Sequence, residues 1–364
     1  DIDADKVLAA AQSFVDLGLK DVGYEYVNID DCWLESARDP TTQRQVPNAT
    51  TFPDGIKGVA DQVHSLGLKL GIYSDAGSTT CAGFPGSLGF EDIDAAAWAE
   101  WGVDCDCLSI CMTDNCAIPA NWTDTATPQD DDWYNSNSAV RYRQMGAALA
   151  NGPVPVQFEL CIWGTAHVWE WGARVGHSWR MSGDASPDWN YLMSIMTVNS
   201  QHLDTVDFFA HNDMDMMEIG NGNLTLQEER THFAVWAFMK SPILIGTDLS
   251  QLSKDEVAIL TNKELLAFSQ DTTVGTPATP FGSSITSPPQ LYAGASVKGT
   301  HVFVVNTNDT KSTFTVEFSD VPGLGTGSFV VHDMWTGEDV GTFKESWSVT
   351  LDAHDTAAVL VIPS

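Results

Sequence analysis

Short apolar runs that stop at aspartate recur along the first two thirds of the chain: YVNIDD at 26–31, LGIYSD at 70–75, MTDNC at 112–116, WRMSGD at 179–184 and FFAHNDMD at 208–215. A run of this kind is a strand apolar on both faces, the habit of buried parallel sheets. Carboxylates at the downstream ends of parallel strands stand where such sheets carry their chemistry. For any one aspartate, capping a helix or shaping a turn is the simpler account. Five together predict a barrel with an acidic mouth.

Helical patterns fill the intervals. A helix from Ala4 to about Leu19 precedes a strand at Tyr24–Ile29, and helices near Gly55–Leu66 and Ile93–Trp101 flank a strand at Lys69–Ser74. Further strands are predicted within Cys105–Met112 and near Val154–Leu160, His177–Met181, Thr205–Phe209 and Pro242–Ile245. Alternation of this type is the mark of repeated βα units. It gives an α/β chain whose residues 1–268 form a (β/α)8-type TIM barrel. The pattern yields seven strands, so the first of the eight is expected to be missing, since the chain opens directly on a helix. After residue 268 the texture changes to SQDTTVGTPATPFGSSITSPP, a linker composition, and then to alternating stretches such as THVFVVNTN and STFTVEFSD. Residues 269–364 therefore read as an antiparallel β-sandwich.

Charge narrows the partners. Forty-nine acidic against 17 basic residues give a net charge of -32, which repels nucleic acid and anionic membranes. No stretch approaches the roughly 20 apolar residues of a membrane span, and the opening DIDADKVLAAAQSF is an amphipathic helix start and not a signal peptide. Sequons at Asn48, Asn121, Asn223 and Asn308 favour a secreted glycoprotein carrying N-linked glycans. Seven cysteines cannot all pair within one chain, and the spacing of Cys105, Cys107 and Cys111 matches no zinc pattern.

Carboxylates converging at one barrel mouth suit glycoside hydrolysis, in which one is ionised and attacks while the other is held protonated and donates. Such a mechanism needs no cofactor or metal. Trp33, Tyr73, Trp163, Trp169, Trp171, Trp179 and Trp189 lie near the strand ends and are candidates to stack on a sugar ring, whereas Trp236 in THFAVWAFMK reads as core.

The strings YEYVNIDDCW, FPDGIKGVADQVHSLGLKLGIYSDAGSTTCAGFPGSLGFEDIDAAAWAEWGVD, HNDMDMMEIGNGNLTLQEERTHFAVWAFMKSPILIGTDLSQL and NKELLAFSQD resemble the α-galactosidases of glycoside hydrolase family 27, nearest to the fungal secreted enzymes. The resemblance runs through the whole chain. It implies a retaining exo-enzyme that releases terminal α-linked galactose from oligosaccharides. It further implies Asp114 as nucleophile and Asp184 as acid/base. Asp30 and Asp31 correspond to the pair that grips sugar hydroxyls, and Arg180 to the residue near the 2-hydroxyl. Tyr73, Cys161, Trp163, Asp215 and Met216 correspond to wall and binding positions, and Cys81 with Cys116 to a disulfide beside the nucleophile. In these roles Asp114 needs contacts that keep it ionised, and Asp184 a drier setting.

Two departures stand out. The segment WGVDCDCLSICMTDNC is longer than the resemblance leads one to expect before the nucleophile, and Met112 occupies a position where a sugar-contacting lysine is expected. An ungapped match puts Ser109 at the nucleophile position. Keeping Asp114, Asn115 and Cys116 together instead makes the strand Leu108–Thr113, with Cys105–Cys107 looped out. The second departure is the missing first strand, which leaves Cys32 without its expected partner. An inactive or galactoside-binding homologue, an α-N-acetylgalactosaminidase and a β-L-arabinopyranosidase are the alternatives.

Overall fold

The computed structural model describes residues 2–109, 120–124, 126–282 and 285–364, and they fall into two compact units, 1–180 and 181–364. In the first unit five strands, β1 (Tyr26–Ile29), β2 (Lys69–Asp75), β3 (Cys105–Ser109), β4 (Gln157–Cys161) and β5 (Ser178–Arg180), lie side by side in chain order. All four pairings are parallel. Helix α1 (Ala4–Asp16) precedes β1, and α2 (Gly55–Ser65), α3 (Glu91–Trp101) and α4 (Asn137–Ala150) link the successive strands from β1 to β4.

Local chemistry sets these boundaries. The Asp3 carboxylate accepts the Lys6 N–H at 2.8 Å and starts α1, whose Val7, Ala11 and Phe14 form the buried stripe of an amphipathic helix. α2 buries Ile56, Val59, Ala60 and Val63 on the same spacing. α3 stops at Gly102 in the left-handed region (φ 83°), the usual helix exit. β2 is almost wholly buried, as the run LGIYSD requires.

The third strand corrects the expectation that Cys105–Cys107 loop out before a strand at Leu108–Thr113. β3 takes in Cys105–Ser109, with Cys105 opposite Gly71 and Gln157, and Ser109 level with Asp75 and Cys161. Its entry is fixed one residue earlier. The Asp104 N–H donates to the Leu70 carbonyl at 2.8 Å and the Asp104 carbonyl accepts from Gln157 N–H at 2.9 Å. With both neighbours already engaged at Asp104, there is no slack in which to loop out the next three residues. Residues 110–113 lie outside the described residues.

The second unit opens with β6 (His211–Asp213) and the helices α6 (Trp189–Asn199), α7 (Leu226–Met239), α8 (Lys254–Leu260) and α9 (Lys263–Ser269); the one-turn α5 (Val168–Trp171) belongs to the first unit. The strand expected at Thr205–Phe209 is displaced to His211–Asp213, because Leu203–Thr205 is a 3-10 turn and Asp207–Ala210 closes a tight loop. Pro242–Ile245 contributes a single parallel bridge, Met217 to Ile245, in place of a strand. Both α7 and α8 begin with capping boxes, Thr225/Glu228 and Ser253/Glu256. Every residue of α7 from Thr231 to Met239 is buried, so it is a core helix.

Seven strands follow a two-residue β7 (Thr279–Pro280): β8 (Leu291–Ser296), β9 (Gly299–Val305), β10 (Ser312–Glu317), β11 (Ser328–Asp333), β12 (Glu338–Lys344), β13 (Ser346–Leu351) and β14 (Thr356–Pro363). They form antiparallel sheets in the orders β12-β11-β14-β9-β8-β7 and β10-β13. Alternate residues Val302 and Val304, Phe329 and Val331, and Val359 and Val361 meet Val316 and Trp347 in one apolar core, the period-two pattern of a sandwich. The turn before β14 is pinned to the helices. His354 stacks on Trp189 (4.1 Å between centroids) and bonds Glu228 at 2.7 Å, Arg230 pairs with Asp355 at 3.0 Å, and the Thr231 hydroxyl meets that of Thr356 at 2.6 Å.

Candidate functional site

In the first unit the downstream ends of neighbouring strands carry most of the expected sugar-binding residues. Asp30 and Asp31 leave β1 as a pair of backbone-bonded carboxylates. Asp30 accepts the Asp31 N–H at 2.7 Å. Asp31 accepts the Cys32 N–H at 2.7 Å and, from the loop after β2, the Ala82 N–H at 2.8 Å. Such bonds fix the carboxylates' orientation. Asp30 is exposed and Asp31 half-buried. Cys32 follows at φ 76°, in the left-handed region.

Tyr73 is buried on β2, its hydroxyl donating to the Cys81 sulfur at 3.4 Å, and its carbonyl accepting the Trp33 indole N–H at 2.9 Å. β4 and β5 end on Cys161 and Arg180. The Arg180 guanidinium, 8% exposed, donates to the Cys161 sulfur at 3.8 Å, while the Arg180 carbonyl accepts the Gly164 N–H at 2.8 Å. Trp163, between these partners, sits at φ 55° with its indole N–H buried and unmatched by any protein acceptor among the described residues. A buried donor without a partner is a cost that a bound hydroxyl would remove.

In the second unit Asp184 lies exposed in the loop that follows the WRMSG run, so the drier setting expected for it is not seen among the described residues. What holds that loop is Asp215. Its carboxylate, 3% exposed, accepts the Ala185 N–H at 2.5 Å and the Met216 N–H at 2.8 Å. Its own N–H donates to Asp213 at 2.7 Å and its carbonyl accepts the Trp236 indole at 2.7 Å. Asp215 adopts φ 78°, which aspartate tolerates better than most residues. Met216 is 38% exposed. Trp236 was legible as core, but its role in anchoring Asp215 had no sequence signal.

Asp114 and Cys116, and so the nucleophile and the Cys81–Cys116 pairing, lie outside the described residues. Of the tryptophans considered as platforms, Trp33, Trp171 and Trp179 are essentially fully buried and belong to the core. Trp189 is spent on His354, and Trp169 on His167. Asp75 is buried and closes its own turn by accepting the Gly77 N–H at 2.6 Å. Among the described residues no cluster of His, Cys, Asp and Glu is arranged to hold a metal.

Residues 2–271 match the family model described as Alpha galactosidase A, and residues 286–361 that of the alpha galactosidase C-terminal beta sandwich domain. The chain belongs to the melibiase family of α-galactosidases, glycoside hydrolases. It is 46% identical to "Probable alpha-galactosidase B" of Aspergillus fumigatus, over 99% of this chain and 93% of that one. Among solved structures it resembles alpha-galactosidase I from Mortierella vinacea (TM-score 0.89, 32% identity, 100% and 94% of the two chains). It also resembles an alpha-galactosidase from Saccharomyces cerevisiae with raffinose (TM-score 0.87, 28% identity, 100% and 95%). The fold is accordingly a TIM-type barrel followed by an antiparallel β-sandwich.

Proposed function

We propose that the chain is a retaining exo-α-galactosidase that removes terminal α-D-galactosyl residues from oligosaccharides by double displacement. Asp114 attacks the anomeric carbon, and Asp184 protonates the departing oxygen and then deprotonates the water that releases galactose. Asp30 and Asp31 accept hydroxyl protons of the ring, with Arg180 donating toward its 2-hydroxyl and Trp163 and Tyr73 walling the pocket. Catalysis belongs to residues 1–268, and residues 269–364 form the β domain.

The observation that carries this reading is the Asp215 tie. A buried carboxylate fastened to the Ala185 N–H holds the residue next to Asp184, as an acid/base in a loop requires. Hydrolysis of a nitrophenyl α-galactoside followed by NMR tests it. Retention makes the α-anomer of galactose the first product, and on an alkyl α-galactoside, whose leaving group needs the proton that nitrophenolate does not, Asp184→Ala lowers kcat by about 100- to 10,000-fold. First appearance of the β-anomer would refute retention, and an Asp184→Ala enzyme of near normal rate would refute the acid/base assignment.

We further infer an extracellular glycoprotein. Asn121 and Asn223 are exposed, which suits glycan attachment, whereas the Asn308 amide donates to Asn306 and Ser312, and Asn48 closes a turn with Thr50 and Thr51. A disulfide between Cys81 and Cys116 belongs to the same reading. Mass spectrometry of the non-reduced protein before and after deglycosylation tests both.

A further inference from the structure

Away from the strand ends, two arginines converge on one tyrosine. Arg143 projects from α4 and Arg174 from the 3-10 turn Gly172–Arg174, and their guanidinium carbons lie 4.2 Å and 3.5 Å from the centroid of the Tyr134 ring. Arg143 also donates to the Tyr134 carbonyl at 3.1 Å and to the Asn135 side chain at 3.2 Å. Among the described residues neither guanidinium forms an ion pair. That is unexpected in a chain of 17 basic and 49 acidic residues, whose other arginines include ion pairs such as Arg38–Asp94, Arg44–Glu100 and Arg230–Asp355. Two like charges sharing a ring repel one another, and a shared anion would turn that repulsion into attraction.

The arginines border an open surface depression of about 560 Å³ whose remaining lining includes Gln144, Gly146, Ala147 and Val175. It is too large for a small inorganic anion and of the size that takes a sugar ring. Its wall is apolar and carries one side-chain amide, which suits the mixed faces of a pyranose. A guanidinium stacked on a ring keeps its N–H edge for a carboxylate. The segment that bears Tyr134 is held in place before any ligand arrives. Neighbouring Trp133 stacks on His167 at 4.6 Å, His167 stacks on Trp169 at 5.2 Å, and Glu170 bonds the imidazole at 3.1 Å. Preorganisation of this kind lowers the cost of binding.

We propose that Tyr134, Arg143, Arg174 and Gln144 form a second carbohydrate site, separate from the catalytic one, that binds a uronic acid residue of a polysaccharide through its carboxylate. The site does not depend on the roles given to Asp114 and Asp184. Its function is to hold a largely neutral polysaccharide by its scattered uronic acid residues, since a net charge of -32 repels a uniformly acidic chain.

Titration calorimetry of the full chain with a glucuronic acid disaccharide, in saturating galactose so that the catalytic site is occupied, tests the proposal. Binding is expected for the acid and not for the neutral glucose disaccharide. Arg174→Ala, an exposed residue, weakens it about tenfold, the loss of roughly one charge-assisted contact. Arg143→Ala with Arg174→Ala abolishes it, as does Ala147→Trp, which occupies the depression and leaves both charges. Hydrolysis of nitrophenyl α-galactoside is unchanged in all three. Equal affinity of Arg174→Ala and the parent would overturn the proposal. So would equal binding of the neutral disaccharide, or full displacement of the acid by inorganic phosphate at matching concentration.

Discussion

Replacing Asp215 by asparagine separates the charge of this residue from its shape. The carboxylate is buried and accepts two backbone N–H groups, at 2.5 Å from Ala185 and 2.8 Å from Met216. Asparagine tolerates the same left-handed φ, so backbone strain is unchanged. It has one oxygen, however, and its amide must face the other N–H donor to donor. One charge-assisted bond is lost and a buried donor is left unpaired, at a combined cost of about 2–4 kcal/mol. Denaturant unfolding should show a lower midpoint with an unchanged slope. Activity should fall more than stability explains. Release of the Ala185 N–H lets the Asp184 loop move, and a displacement of about 1 Å costs on the order of 100-fold in kcat. The measurement is kcat and KM on a nitrophenyl α-galactoside at a temperature where the variant is fully folded. An asparagine variant within about 0.5 kcal/mol of the parent in stability and with the parent kcat would refute the tie as a positioning device.

Two further outcomes concern stability. His232 is wholly buried on α7, accepts the Glu218 N–H at 2.9 Å, and is pushed down to about 3 by desolvation. The folded chain keeps it neutral while the unfolded chain protonates it near 6.5, so stability falls as pH drops from about 6.5 toward 3, by up to about 1.4 kcal/mol per pH unit. His232→Gln should flatten that part of the stability-pH curve, and an unchanged slope would show that other groups set it. Lys240 is a buried cation that donates to the carbonyls of Phe268 and Val274 at 2.9 and 2.8 Å, and burial pushes it down to about 8. Lys240→Met strands those acceptors and should cost about 2–4 kcal/mol in thermal or denaturant unfolding; a neutral effect would mean that water replaces the ammonium.

What the sequence disclosed depended on how local the signal was. β1 and β2 were legible because short apolar runs, broken in β1 only by Asn28, ended on polar residues, and α2 and α3 because their buried positions recur at helical spacing. β3 was misplaced because its register is set by Asp104 bonding both neighbouring strands, a contact between residues far apart in sequence. The sixth strand slipped by several residues because FFA is apolar yet turns, with Phe209 72% exposed. Within the site, the residue types at strand ends were readable and their partners were not. Nothing in the sequence around Trp236 says that its indole carries the Asp215 carbonyl, and Tyr134, Arg143 and Arg174 come together from three separate elements.

The pinning of the last β turn to the helices bears on how the protein tolerates shortening. His354, Asp355 and Thr356 grip Trp189, Glu228, Arg230 and Thr231, and the helix holding the last three also carries Trp236, which anchors Asp215. Within this unit the β-sandwich is thus mechanically in series with Asp215 and the Ala185 N–H it holds. Removing the strand that carries this turn is expected to loosen α7 and with it the Trp236–Asp215 bond, so a change in the β domain reaches Asp215 through that helix.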